Sequence, residues 1–532
     1  MKRRDFLKFS SLLGLSATTG GFVFGSQAQA ATLPADGYKA LVCIMLAGGN
    51  DSFNMFLPVG AGYDNYARDR GNLAIANNPL SLPNDIWMHQ NPYITAPNDT
   101  NESAYRKGYY DLGGELGVNA VMPELAHLLK QGDGKIIANI GNLQTFVDKQ
   151  MIQDRIAQLP LFLFAHNHQT RELHLGRADT LDGPGWAGRI ADDWLGGYND
   201  SYPLGLNFSF AGASQLLVGT TTSPLVMRAT NPVMFDSLKL NSDDRYNKEE
   251  YNRRALFHAL HGRSEQAYSP LTSDRAPYPV DFRDLDPIVS QNLLRQAYET
   301  RGENALNILG RLNEDWDAIK ASLVYQSTDV YGNPLFSVPS AEQLGLNVSG
   351  FGGFIRQMEA VARMIKIGSD RGYGRQIFYV SLGSFDTHSS QVDKHPMLLR
   401  ELSLGVHSFD SAMRDLGLHE NVATFSMSDF GRTVSNNGDG TDHGWGSHQF
   451  VLGGGMKNFA IQGQVPDLSL GSDNDYSSSG RIIPTTSQEQ LFATLVNWFG
   501  VPTQQLTTLF PNLGNFKQTS EVESALIDGL FS

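Results

Sequence analysis

The chain has a single cysteine, Cys43, in 532 residues. An intrachain disulfide is therefore excluded, and Cys43, inside an apolar run, reads as a core residue. Beyond the first thirty residues no apolar run reaches the roughly 20 residues of a membrane span. Internal repeats, coiled-coil heptads and low-complexity tracts are also missing, which excludes solenoids and fibrous assemblies. Charge is sparse, at 18% of residues, and basic residues are the scarcer kind, 41 Lys and Arg against 55 Asp and Glu. So acidic a surface argues against nucleic acid as a partner. Glycine, at 54 residues, is plentiful and suits tight turns and sites carried on loops. A hydrophobic content of 41% over this length supports a large globular core.

Residues 1–30 have the pattern of an export signal. Lys2-Arg3-Arg4-Asp5-Phe6-Leu7-Lys8 has the form of a twin-arginine motif, Phe9–Phe24 is weakly apolar, and Ala28-Gln29-Ala30 fits a small-residue cleavage site. The expectation is a soluble periplasmic or otherwise exported protein beginning at Ala31. Losing four basic residues and one acidic residue would leave 37 against 54, a formal charge of −17. The twin-arginine route carries folded proteins, so a metal loaded in the cytoplasm would survive export.

The chemistry concentrates between Ile377 and Gly455. Two apolar β-type runs, IFYVSL and VATFSMS, each lead to an acid: Asp386 in Phe-Asp-Thr-His, and Asp429 in Ser-Asp-Phe-Gly-Arg. Between them lies an amphipathic helix over about Met397–Leu416, so the unit reads as a parallel strand–helix–strand crossover. A glycine-rich loop follows with Asp442, His443 and, further on, His448. Tyr38–Leu46 predicts another strand buried on both faces, and it too ends in a glycine turn and an acid, Asp51. Further strands are expected at IIANIG (136–141), Leu206–Phe210 and Gln215–Val218, and helices after Gly185, over 351–367 and over 487–499. His166, His168 and His174 crowd after an apolar run, either as a site wall, with an i, i+2 pair on one face of a strand, or as polar loop residues. Carboxylates and imidazoles at strand carboxyl ends mark the ligand end of an α/β sheet. Such a donor set suits zinc, manganese or magnesium.

Leu-Ala-Gly-Gly-Asn-Asp-Ser-Phe-Asn (46–54), Gly-Trp-Ala-Gly-Arg (185–189), Phe-Asp-Thr-His-Ser-Ser-Gln (385–391), Ser-Asp-Phe-Gly-Arg-Thr (428–433) and Gly-Thr-Asp-His-Gly-Trp-Gly (440–446) together resemble the signatures of the family called domain of unknown function 1501. That family resembles the alkaline phosphatase and sulfatase superfamily. The resemblance implies an α/β fold, a large mostly parallel sheet with helices on both faces. It also implies a single domain over 31–532, with insertions near 60–115 and 225–350 and a small C-terminal hairpin region. One or two divalent ions would be held by Asp51, Asp386, His388, Asp429 and His443. Two departures from the superfamily stand out. Phe430 occupies the place of a histidine of the second metal position, and Ala165-His166 stands where many relatives have Ser-His. The nucleophile is then unknown; Thr170 and Ser52 are the nearest hydroxyls, and Arg432 with Arg189 would hold an anion. The implied function is a metal-dependent hydrolase or transferase acting on a small phosphate or sulfate ester. The alternative is a non-catalytic exported binding or assembly protein, with an exported protein partner, that keeps one structural metal.

Overall fold

The computed structural model describes residues 37–82, 101–194, 205–230, 312, 314–344 and 350–531. The proposed signal, 1–30, and most of the 225–350 insertion lie outside these residues. The chain forms two compact units, Met1–Ala31 with Val233–Ala318, and Thr32–Pro232 with Ile319–Ser532. The described residues of the first unit, 312 and 314–318, are helical. All that follows concerns the second unit.

The chain enters the second unit's core through β1 (Lys39–Leu46), buried at seven successive positions. The strands β2 (Phe56–Pro58), β3 (Pro79–Leu80), β4 (Tyr109–Asp111) and β5 (Leu116–Asn119) form a separate small sheet in the order β2-β5-β4-β3; β3 and β4 fall inside the 60–115 stretch, and β2 and β5 flank it. The helix α1 (Tyr63–Arg70) lies between β2 and β3. Next come α2 (Pro123–Lys130) and β6 (Gly134–Gly141). After these come α3 (His166–Leu175), α4 (Trp186–Asp193), β7 (Asn207–Ser209) and β8 (Leu225–Val226). The carboxyl-terminal part supplies α5 (Gly353–Asp370), β9 (Arg375–Leu382), α6 (Gln391–Asp415) and β10 (Val422–Ser428). It continues with β11 (Arg432–Asn436), β12 (Thr441–His443), β13 (Ser447–Gly453), β14 (Ile461–Gln462), β15 (Thr486–Ser487) and α7 (Gln488–Phe499).

The main sheet has nine strands in the order β14-β6-β13-β10-β1-β9-β7-β8, with β15 also on β6. Every pairing is parallel except those of β13, which runs against β10 and β6. The α/β class and the mostly parallel sheet expected from the sequence are therefore present. Because β1, β9 and β10 are buried at consecutive residues, both faces of the sheet are covered. β9 and β10 flank β1 in register, Leu46 standing beside Leu382 on one side and Ser428 on the other. This register brings the turns after all three strands to one edge of the sheet.

Two local readings need correction. Gln215–Leu217 is a 3-10 turn rather than a strand. His166–Leu175 is helical, so His166 and His168 diverge, as i and i+2 positions do on a helix. α6 begins six residues earlier than its apolar periodicity suggests and contains Pro396. Helix ends follow local chemistry: α3 stops at the left-handed Gly176 (φ 61°), and α7 opens on a capping box of Ser487 and Gln490.

Candidate metal centre

Three turns meet at the sheet edge, and glycine permits their approach. A Cβ on Gly48 would lie 2.5 Å from the backbone nitrogen of Asp386, and one on Gly440 would lie 2.2 Å from the carbonyl oxygen of Thr387. Any side chain there would push apart the loops carrying Asp386, His388 and the β12 residues. β12 pairs with β11, placing His443 opposite Arg432. α3 delivers His166 as its first residue, with Ala165 at the N-cap.

One ligand atom from each of His166, Asp386 and His443 lies close enough to the others to hold a metal ion. His166 Nε2 is 3.1 Å from His443 Nε2 and 3.5 Å from Asp386 Oδ1, and His443 Nε2 is 3.3 Å from that same oxygen. Ligands about 2.0–2.2 Å from one ion at near-tetrahedral angles stand about 3.3–3.5 Å apart, so these separations fit a shared ion. His388 Nε2 adjoins two of the three, at 2.9 Å from His443 Nε2 and 3.1 Å from Asp386 Oδ1.

The far side of each ring decides what its near side can offer. His166 Nδ1 donates to Asp429 Oδ2 at 2.7 Å, His388 Nδ1 to Asp442 Oδ1 at 3.0 Å, and His443 Nδ1 to the Phe164 carbonyl at 2.8 Å. A neutral imidazole with its Nδ1–H so committed carries a lone pair at Nε2. In that neutral tautomer three lone pairs and a carboxylate oxygen face one another, an arrangement that repels itself until a cation, whether a proton on one Nε2 or a metal ion, lies among them. Outer oxygens that fix tautomer and ring orientation are the usual support of histidine ligands.

The electrostatics agree with this arrangement. The Asp429 hydrogen bond raises the pKa of His166 against the opposing effect of burial, so without an ion this ring takes a second proton more readily than a free imidazole, a preference for a cation that a metal would equally meet. Burial lowers that of His443, favouring the neutral ring. Burial would raise Asp386, but Arg432, His388 and His166 outweigh it and hold the carboxyl below its usual range. Arg432 is fully buried, and its Nη2 donates to Asp386 Oδ1 at 2.9 Å. The Phe430 ring packs against both His166 (4.6 Å) and His443 (4.7 Å), an apolar backing where the superfamily pattern has a histidine.

The five residues expected as ligands divide between roles. Asp386, His388 and His443 converge. Asp429 stands one bond further out, accepting from His166 and from the Gly48 amide. Asp51 sits elsewhere: it is fully buried, with Oδ1 on Arg70 at 2.6 Å and Oδ2 taken by the Gln391 amide at 2.5 Å. Around it runs a closed polar network. Tyr105 meets His395 Nδ1 at 2.7 Å, His395 Nε2 meets Asn50 Oδ1 at 2.8 Å, and Asn54 bonds both Tyr105 (2.8 Å) and Tyr66 (2.7 Å). Burial lowers the pKa of His395 to about 4, so this imidazole is neutral. Gln391 connects this network to the rim, since its Oε1 accepts from Thr441 at 2.8 Å and from Thr387 at 3.3 Å.

Of the hydroxyl candidates, Ser52 is buried, its Oγ accepting the His448 amide at 2.7 Å, and Thr170 stands half-buried one turn beyond His166 on α3. Arg189 holds no anion site: its guanidinium donates to the carbonyls of Pro184, Leu175 and Leu509. His448 is buried against Phe53, its Nδ1 accepting the Asn139 amide. His166 is one of three crowded histidines that the sequence does not rank; the structure singles it out as the first residue of α3. Arg70 had no local signal, lying in a polar stretch indistinguishable from surface.

Residues 356–531 match the family described as protein of unknown function (DUF1501). No curated protein matches the chain. Among solved structures it is similar to a phosphonate monoester hydrolase of Agrobacterium radiobacter, with 12% identity and a TM-score of 0.27, over 87% of this chain and 74% of that one.

Proposed function

We propose that a chain whose residues 356–531 match a family of unknown function works as a metal-dependent hydrolase of phosphate or sulfate esters, holding one divalent ion. The observation that carries this reading is the convergence of three Nε2 atoms and a carboxylate oxygen, each ring fixed from behind. His166, His443 and Asp386 would hold the ion, with His388 beside them. So imidazole-rich a set favours zinc over magnesium or manganese. Phe430, packed at a tilt against two of the rings, supports one ion rather than two. When bound, such an ion supplies Lewis-acid polarisation of the phosphoryl or sulfuryl oxygen and acidifies the attacking water.

The protein's own residues do the positioning. Asp429, Asp442 and the Phe164 carbonyl hold a proton on each Nδ1 and thereby aim each Nε2. Arg432 keeps Asp386 ionised. In the reaction water gives its hydroxyl to phosphorus or sulfur, the ester P–O or S–O bond breaks, and the water proton leaves with the alcohol.

The test is turnover of aryl phosphate and aryl sulfate panels by purified protein with added zinc or manganese. Activity in wild type and its loss in Asp386→Ala is the expected result. One observation favours a second reading. Ala165 puts no hydroxyl at the head of α3, and Ser52 is buried. A non-catalytic exported protein keeping the ion as a structural element, and binding another exported protein, fits that observation. Stoichiometric metal in a wild type inert on every ester would select it.

A further inference from the structure

The three imidazoles are held from behind by two kinds of group. His166 and His388 donate to carboxylates, Asp429 and Asp442, whereas His443 donates to the Phe164 carbonyl, on the loop before α3. A backbone carbonyl aims only as well as its loop is held. This loop is strained: Phe162 and Phe164 have φ of 51° and 73°, a region unfavourable for a residue with a Cβ and kept only where the surroundings enforce it. What enforces it is a buried polar trio, Asn142, Gln169 and Glu172.

Glu172 Oε1 accepts the Leu161 amide at 2.7 Å, and Gln169 Nε2 donates to the Leu161 carbonyl at 3.1 Å and to Glu172 Oε2 at 2.8 Å. The loop is thus gripped at both polar groups of the residue three before Phe164. Asn142, the residue after β6, reaches through Nδ2 the Gln169 carbonyl (3.1 Å), Gln169 Oε1 (3.2 Å) and Glu172 Oε2 (3.4 Å). Its own carbonyl accepts from the indole nitrogen of Trp445 at 2.9 Å, two residues past His443. The Phe162 ring packs 4.3 Å from that of His168 on α3. Arg481 bridges Phe164 and His443, its guanidinium 4.3 Å from the Phe164 ring and its Nε donating to the His443 carbonyl at 3.0 Å.

Two ligands are thereby set from one place. α3 carries His166 as its first residue, with Gln169 and Glu172 at three-residue steps beyond it. From the trio one path runs along α3 to His166. A second runs through Leu161 and Phe164 to His443 Nδ1, and a third through Trp445 to the His443 backbone. We infer that Asn142, Gln169 and Glu172 are positioning residues for the metal centre, fixing where His443 stands relative to His166. The inference rests on the metal-binding part of the reading above and adds what sets the spacing of two ligands. None of the three belongs to the candidate ligand set. They act through the Phe164 carbonyl and the α3 backbone, one bond further out than the groups that usually orient histidine ligands.

The test uses the full chain and two readouts, zinc affinity by chelator competition and the visible spectrum of the cobalt(II) form, which responds to coordination geometry. Glu172→Leu is expected to weaken zinc about tenfold, the low end of what outer groups contribute, and to alter the cobalt spectrum. Glu172→Gln keeps an oxygen for the Leu161 amide and should restore both. Glu489→Leu is the control, since it removes another buried glutamate, one that accepts the Asn512 amide at 3.0 Å. It should lower the melting temperature and leave both readouts as in wild type. Wild-type affinity and spectrum in Glu172→Leu would overturn the inference, as would an equal loss in Glu489→Leu; either leaves the centre standing. Should Glu172→Leu not fold, Asn142→Ala carries the test, because it spares the carbonyl that holds Trp445. About threefold weaker zinc is expected there, and an unchanged affinity and spectrum would again overturn the inference. A wild type that binds no zinc would remove the centre and the inference with it.

Discussion

Two polar clusters adjoin through Gln391, one closed and one open. In the lower cluster, around Asp51, the acid faces a guanidinium and an amide, and His395 makes a hydrogen bond from each ring nitrogen. In the upper cluster three ring nitrogens and a carboxylate face each other, and their hydrogen-bonding capacity is used only on the outer side. The lower cluster is fully buried, while Asp386 and His388 are 47% and 42% exposed. Both begin with an acid following a parallel strand. An acid at a strand end therefore does not identify a ligand; the groups it meets do.

The comparison breaks most sharply by removing one acid from each cluster. Asp51→Ala leaves the Arg70 charge buried without its partner and is expected to cost about 3–5 kcal/mol in denaturant unfolding. Asp386→Ala also removes the partner of a buried guanidinium, Arg432, but at a half-exposed carboxylate that water can replace, and is expected to cost less, about 1–3 kcal/mol. Equal costs would erase the distinction. For metal the order reverses: His443→Ala should weaken zinc binding more than about 100-fold in a chelator competition, while Asp51→Ala protein that remains folded should still bind. Asp429→Asn tests the outer oxygens and is expected to lower affinity about 10–100-fold. Chelator treatment of wild type should lower the melting temperature, and Asp386→Ala should show no such shift.

The smallest effect concerns pH. Burial raises the pKa of Glu172 to about 9 and that of Glu489 to about 8. A folded pKa above the unfolded value near 4.3 means that the native state binds more protons, so stability is greatest at low pH and declines as pH rises toward 8–9. Melts between pH 6 and 9 should show this decline, with a shallower slope in Glu172→Gln and an unaltered one in Asp386→Ala. Neither glutamate touches the clusters, so the slope separates general burial from site chemistry.

The sheet was legible because its central strands carry their own record. YKALVCIML and VATFSMS are long, apolar and rich in β-formers, and a strand buried on both faces needs no partner information to be recognised. Asp386, His388 and His443 were legible as chemistry, since acids and imidazoles recur at the ends of such strands. Pairing was not. Nothing local to Asp51 announces Arg70, 19 residues on in a polar stretch, and nothing near His166 announces Asp429, 263 residues away. Both depend on which turns the β1, β9 and β10 register brings together. The helical state of 166–175 was also hidden, since three histidines supply no apolar periodicity.

The candidate ligands come from three distant stretches, at 166, 386–388 and 443. An ion at their meeting point would act as a rivet, closing a loop of roughly 220 residues between His166 and Asp386. Described residues inside that loop are already tied down, β7 by its pairing with β9 and Arg189 by its bond to the Leu509 carbonyl. A backbone nicked within that loop would keep its two pieces together twice over, by the pairing of β1 with β9 and β10 and by the ion. Stripping the ion from such nicked protein would leave the sheet as the remaining tie, and its melting temperature should fall further than that of the intact chain.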